Sequence, residues 1–228
     1  MAYSVVVPAV VPAVVPVMPP TRAEWVDGLL RRAIVQGELA PGEKLSADRL
    51  AERWGVSPTP VRETFQRLAG EGLVLIEPQR GARVAPLDAR SAAQIYEIRL
   101  LLDPVAIHQS VAAGVADSTF SVEVGEAHRR LLRRHRSLAD WHEAHRQFHL
   151  VLVSRCTNEL LVRQVAMLLE HSQRFQVAGI GRGGVRASDP TQEHVALRDA
   201  AIDGRAADAA DVLRRHLAAT LAAVQASG

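Results

Sequence analysis

Residues 44–84, KLSADRLAERWGVSPTPVRETFQRLAGEGLVLIEPQRGARV, change hydrophobic period twice, and those changes decide the fold of this part of the chain. Ser46 is a favourable helix N-cap, and Ala47, Leu50, Ala51 and Trp54 follow at helical spacing until Gly55 ends the helix. Ser57 offers a second N-cap. Pro58 stands at the first helical position and Pro60 is still in the first turn, where a missing N–H breaks no internal hydrogen bond, so both start a helix rather than break one. Val61, Phe65 and Leu68 face the preceding helix, which leaves Thr59, Arg62 and Gln66 together on the exposed side. Past Gly70 and Gly72 the pattern becomes extended: LVLI, a turn at EPQRG, then ARVA, read as a two-stranded hairpin. A pair of helices joined by a tight turn and followed by a hairpin is a winged helix-turn-helix, whose second helix sets side chains against base edges in a DNA major groove.

The runs PGEKL, LAERWGVSPTPVRE, RLAGEGLV and RGARV, in that order and spacing, resemble the N-terminal domain of GntR-family bacterial transcription regulators, over roughly residues 22 to 86. The resemblance implies a double-stranded DNA operator as partner. The candidate DNA-binding residues are Ser57, Thr59, Arg62 and Gln66 of the second helix, with Arg49 and, at the wing tip, Arg80 and Gly81. Two positions depart from the family. Many members have an arginine where this chain has Pro58, and another basic residue where it has Asp48. Both substitutions suit a helix start, by backbone angle and by dipole respectively, but they alter the base-reading pattern and leave Arg62 as the surviving arginine of the exposed face.

Outward from this head, 228 residues suffice for two modest domains. A net charge of +2 argues for a local binding patch rather than nonspecific coating of nucleic acid. The single cysteine, Cys156, excludes an intramolecular disulfide and fits a reducing cytoplasm as a small core residue. Residues 1–20, MAYSVVVPAVVPAVVPVMPP, are apolar, yet recurrent proline rules out a membrane helix and suggests a disordered lead; there is no basic segment of the signal-peptide kind. A cytoplasmic protein with no membrane partner is expected. Between the lead and the head, Trp25, Leu29, Leu30, Ala33 and Ile34 predict a scaffold helix over 21–36. The expected domains are thus the lead (1–20), the winged head (21–86) and a second domain (87–228).

That second domain reads as helix throughout. Ile95, Ile98, Leu101, Leu102 and Val105 line a long helix with a kink expected at Pro104 and an end near Gly114. Further helices are expected over about 118–136, 139–155, 158–178, 190–203 and 206–226, with a flexible loop, AGIGRGGVRASDP, over 178–190. The fold class is therefore mainly α: a winged helix-turn-helix with a small two-stranded wing, joined to an all-α antiparallel helical bundle.

Histidines single out one place in this bundle. His145 and His149 are four apart in the apolar stripe of Trp141, Phe148 and Leu152, and His216 lies among Val212, Leu213 and Leu217. His194 precedes His216 by 22 residues, about 33 Å along an unbroken helix. A turn at Asp203 and Gly204, nearly midway, would fold the two arms back and bring these histidines level. Four inward imidazoles then converge, costly unless a divalent cation satisfies them together.

WHEAHRQFHLVLVSRCTNELL and QEHVALRDAAIDGRAADAADVLRRHL resemble the helical effector domain, called FCD, of the FadR branch of these regulators. Many members bind a metal through an aspartate, a histidine four residues later and two further histidines. By the resemblance, His149, His194 and His216 match the three histidines, and His145 stands at the aspartate. That exchange keeps a ligand and favours zinc or nickel over harder ions. IYEIRLLLDP resembles the domain's first helix, and Arg99 matches an arginine that can face the ligand pocket; the alternative is an ion pair with Glu97 or Asp103. The resemblance implies a homodimeric regulator, a repressor, controlled by a small organic acid at the metal. With four neutral imidazoles the cation's charge is expected to be uncompensated, and metal affinity to weaken as pH falls towards about 6.5. Two alternatives are a metal-independent regulator answering to an acyl ligand and a metal-dependent hydrolase. Glu143 is the only carboxylate close to the His145 pair in sequence that could serve the latter as a base.

Overall fold

The structure, a computed structural model, describes residues 21–178 and 190–226. The proline-rich lead, and the loop expected over 178–190 apart from its two end residues, lie outside the described residues. The first helix, α1 (Arg22–Val35), starts at Thr21 in a reciprocal capping box with Glu24. Its buried stripe is Val26, Leu30, Ala33 and Ile34, whereas Trp25, expected inside, is 44% exposed. The buried face is centred one residue later than the sequence pattern suggested, because Val26 and Leu30 pack on α3.

Strand β1 (Lys44–Leu45) leads into α2 (Ala47–Trp54), which Ser46 caps by accepting from the Arg49 amide. Gly55 closes that helix at φ 65°, a left-handed angle that costs a side-chain-bearing residue, and so allows the tight turn into α3 (Pro58–Gly70). Ser57 occupies the N-cap position without a side-chain cap bond. Pro60, at the third helical position, removes the amide such a cap most often reaches, and the Ser57 residue is exposed. Strands β2 (Val74–Glu77) and β3 (Gly81–Val84) form the wing, in register Val74 to Val84 and Glu77 to Gly81. The expected two-stranded wing is a three-stranded antiparallel sheet, order β1-β3-β2, since Lys44 and Leu45 pair with Arg83 and Ala82. Two residues are too few for a strand period to be visible in sequence.

Asp88 caps the 26-residue α4 (Ala89–Gly114), which runs through Pro104 as one helix. It is followed by α5 (Ser118–Leu132), α6 (Leu138–Leu152), α7 (Glu159–Val177), α8 (Pro190–Ile202) and α9 (Ala206–Gln225). Helix α4 packs along α9 and α7, and α5 packs against α6 and α8. Its inner face is not the large-residue stripe expected. Ala92, Tyr96, Arg99, Asp103, Ala106, Ile107 and Ser110 turn inwards, while Ile98, Leu101 and Val105 are 46%, 72% and 48% exposed. At the end of α4 the chain turns closely onto α5: a Cβ added at Gly114 would meet the Phe120 ring at 2.3 Å. Among the described residues no helix is long and apolar enough to cross a membrane.

Head and bundle have separate apolar clusters, and a polar seam joins them. Arg31 on α1 holds Glu71 at 2.5 Å, Asp27 at 3.3 Å and, from the bundle, Glu170 at 3.1 Å. Arg174 on α7 donates to the carbonyl of Ala85 just past the wing at 2.7 Å. Burial lowers that guanidinium to a pKa of about 10.

Candidate functional site

Two surfaces carry chemistry. On the head, Arg49, Ser57, Thr59, Arg62, Gln66, Arg80 and Gly81 are all exposed, whereas Val61, Thr64, Phe65 and Leu68 of the same recognition helix are buried. The wing tip turns through Gln79, at φ 62°, and Gly81, at φ 92°, which pushes Arg80 outwards. Arg62 is not idle: its Nη2 lies 3.2 Å from Asp48 Oδ1, with the two side chains 62% and 73% exposed. A pair so open to water is weak and readily exchanged for phosphate or base contacts.

Inside the bundle, the turn at Gly204, φ 70°, folds α8 back on α9. This brings the His194 and His216 rings to 4.9 Å between centroids. Helix α6 delivers His145 and His149 one turn apart. One nitrogen from each of the four lies within 4.8 Å of all the others, and all four residues are buried. His145 Nε2 is 3.2 Å from both His194 Nε2 and His149 Nε2. A neutral imidazole nitrogen can share at most one proton, so one atom facing two others leaves lone pairs confronting each other in a dry cavity. Trp141 stacks on His145 at 5.1 Å and Phe148 meets His149 and His194 edge-on, so aromatic rings pack against the cluster.

The donor set fits a metal. With bonds of about 2.0–2.1 Å, ligand nitrogens stand about 2.9 Å apart at neighbouring corners of an octahedron and about 3.4 Å apart in a tetrahedron; the two contacts of His145, at 3.2 Å, lie between, and the wider separations, up to 4.8 Å, would close as the rings turn onto an ion. Burial, then the neighbouring imidazoles and Arg99, hold His145 and His149 well below the usual histidine pKa, so they are neutral and able to ligate. His216 Nδ1 is 2.7 Å from Glu193 Oε2. With the carboxylate accepting, Nδ1 bears the proton and Nε2 keeps the lone pair, an arrangement typical of a metal-bound histidine and its outer partner.

Arg99 is 2% exposed and spoken for. Its Nε and Nη2 hold Asp103 Oδ2 at 2.9 and 2.8 Å, and Nη1 donates to Ser172 at 2.9 Å. Among the described residues Asp103 Oδ1 is buried without a hydrogen-bond partner. The ion pair of Arg99 is with Asp103; Glu97 is exposed and takes no part.

The pattern of the bacterial regulatory proteins of the gntR family matches residues 22–84, and that of the FCD domain matches residues 94–219. The chain belongs to the GntR family. A relative in the same family, the HTH-type transcriptional regulator BphR of Paraburkholderia xenovorans, is 31% identical over 206 residues, which is 87% of this chain and 83% of BphR. The HTH-type transcriptional repressor GlaR of Escherichia coli is 25% identical over 206 residues, 86% of this chain and 92% of its own. The fold is that of a GntR transcriptional regulator of Rhodococcus sp. RHA1, with TM-score 0.76 at 22% identity, covering 92% of this chain and 100% of that one. These relatives and families are regulators, not enzymes, and the chain is a DNA-binding GntR transcription regulator with an FCD domain.

Against that background, one charged residue escaped the sequence reading. Glu143, the carboxylate picked out by proximity, pairs with Arg146 at 2.7 Å on another face of α6. Glu193 touches the histidine centre instead. It adjoins His194 in sequence, where neighbouring helical positions point about 100° apart and give no sign of a shared site. Only the hairpin of α8 on α9 sets it against His216. The cation charge expected to stand uncompensated therefore has a carboxylate one imidazole away. His142, also buried, packs edge-on against Trp141 at 5.0 Å.

Proposed function

We propose that this GntR regulator is a cytoplasmic homodimeric repressor with a winged head (21–86) and an effector bundle (87–228). In this reading His145, His149, His194 and His216 bind a divalent cation, zinc or nickel, and a small carboxylate effector reaches that cation and alters how the two heads hold an operator. The observation that carries it is the mutual approach of four buried imidazoles, with Nε2 atoms at 3.2 Å and burial-lowered pKa values. When bound, the cation supplies a Lewis-acidic position for the effector's carboxylate. The chain's own residues do the rest: Glu193 fixes the His216 tautomer, and Trp141 and Phe148 hold the imidazole rings in place by packing against them. Arg99 adds positive charge beside the centre while Asp103 and Ser172 hold it still.

A dimer is supported by what α4 leaves outside. Ile98, Leu101 and Val105 form a stripe at helical spacing on its outer face, and a two-fold axis beside it buries that stripe against its own copy. Reading two half-sites also gives a head of this size the specificity one recognition helix lacks.

Metal analysis of freshly purified protein, beside His149→Ala combined with His216→Ala, tests the proposal. Bound zinc or nickel in the wild type is expected, with none in the double variant, whose operator binding persists but no longer answers to an organic acid. Metal-free wild type would refute the proposal. A double variant that still responds would point instead to the metal-independent acyl ligand.

A further inference from the structure

One turn of α7 meets both parts of the molecule. Successive helical positions are about 100° apart, so Glu170, His171, Arg174 and Val177 share one side of the helix, and Ser172 lies across from Glu170 and Arg174. The first side meets the head. Glu170 takes Arg31 of α1 at 3.1 Å, and Arg174 donates to the Ala85 carbonyl at 2.7 Å. A Cβ added at Gly72, just before the wing, would meet the His171 ring at 3.6 Å, and one at Gly37, just past α1, would meet Val177 at 3.5 Å.

The opposite side meets the histidine centre's neighbour. Ser172 is 1% exposed; its hydroxyl accepts from Arg99 Nη1 at 2.9 Å and donates to the Leu169 carbonyl at 2.8 Å. The guanidinium beside the imidazoles is thereby tied to the backbone of the turn that holds the head.

The grip on the head is costly. Arg174 is 3% exposed, its acceptor is a neutral carbonyl, and among the described residues its Nε has no hydrogen-bond partner. Burial also raises the Glu170 carboxyl above the usual range, against the pull of Arg31. Buried charges paired in this incomplete way hold a position without adding much stability, so a modest change on the other side of α7 is enough to shift them.

We propose that the turn from Glu170 to Arg174 carries a change at Arg99 to the DNA-reading head, with Ser172 as the sensing contact and Glu170 and Arg174 as the grip. An anion reaching the histidine centre draws the Arg99 guanidinium, Ser172 follows through its hydrogen bond, and the turn shifts against α1 and the end of the wing. A stimulus moves the head only by favouring one arrangement of such a continuous chain over another. Only the nature of the stimulus rests on the cation reading; a change at Arg99 made by substitution acts through the same turn.

Peptide-resolved hydrogen–deuterium exchange of the full chain tests this with two stimuli. One is zinc added to chelator-stripped protein. The other, wholly metal-free, is Asp103→Asn, which removes the charge that holds Arg99, so either stimulus decides the question if the other fails through misfolding or absent zinc binding. Each is expected to change exchange over α4 and α9, near the stimulus, and also over head residues 22–36 and 71–85. With Glu170→Gln or Ser172→Ala added, the change over the head is expected to be lost while the change near the stimulus persists. Arg163→Gln, at an α7 position 66% exposed and paired with Glu159, is expected to respond as the wild type does. Because the stimulus-induced difference is read, and not the level of exchange, a substitution that merely loosens the seam does not imitate the result. Zinc that fails to bind refutes the cation reading and leaves the Asp103→Asn comparison to decide this one. Two results overturn the inference: a stimulus that acts on α4 and α9 but never reaches the head in the wild-type background, or a head response undiminished by both Glu170→Gln and Ser172→Ala.

Discussion

Glu193 offers the sharpest test of the histidine centre, because it touches His216 and none of the other ligand candidates depends on it for its place on a helix. The contact is 2.7 Å long, between side chains 7% and 11% exposed, so water compensates little when it is lost. A hydrogen bond to a charged group contributes about 1.5–3 kcal/mol. Loss of an outer partner to a metal-bound histidine costs about 10–100-fold in affinity, or about 1.4–2.7 kcal/mol, so the two scales agree. Glu193→Gln keeps an acceptor for the Nδ1 proton but removes the charge, and should weaken metal binding by about tenfold. Glu193→Ala also frees the ring to rotate and exchange tautomers, and should approach about a hundredfold. Competition against a chromophoric zinc chelator measures both, with circular dichroism as the check that the bundle is intact. Metal affinity unchanged within about twofold in both variants would refute the reasoning and return Glu193 to a structural role.

Three other expectations follow from the same geometry. Arg62→Ala should cost about 1–3 kcal/mol of specific operator binding and less of nonspecific binding, whereas Asp48→Asn, by releasing Arg62 from its exposed partner, should tighten operator binding; equal loss on operator and random DNA in the first would show that Arg62 reads only phosphate. Leu101→Glu puts a charge in the centre of the outer α4 stripe and should convert a dimer to monomer in sedimentation at micromolar protein, with the melting temperature of the monomer little changed. As for pH, folded His145 and His149 titrate well below the unfolded value of about 6.5. The metal-free fold is then at full stability above about pH 6.5 and loses it progressively below, as the unfolded chain takes up protons that the folded one refuses. Metal should stay bound through about pH 6.5 and leave only as pH falls towards the depressed folded values, a lower window than unperturbed histidines imply. Release at about pH 6.5, followed by dialysis and metal analysis, would contradict the burial seen here.

Hydrophobic period and helix punctuation determined most of this architecture without coordinates. Ser46, Gly55 and the Pro58–Pro60 pair mark helix ends by local backbone chemistry, which needs no partner, and the helix boundaries of the bundle fall within a few residues of where period and caps put them. The convergence of His194 and His216 was also legible, because a turn halfway between two positions on consecutive helices makes them level whatever else surrounds them. Tertiary structure decided whatever depends on which of several apolar faces wins. Helix α4 carries both a large-residue stripe and a small-residue stripe, and its packing along α9 and α7 put Ala92, Ala106 and Ser110 inside and turned Ile98, Leu101 and Val105 outwards, against the simple reading that large means buried. Trp25 misled in the same way. The partners of charged groups were beyond sequence for a related reason: Arg99 with Ser172 and Arg31 with Glu170 join residues 73 and 139 positions apart. A side chain at the end of a long stem finds whatever the packed helices bring within 3 Å or so, and no periodicity records that distance.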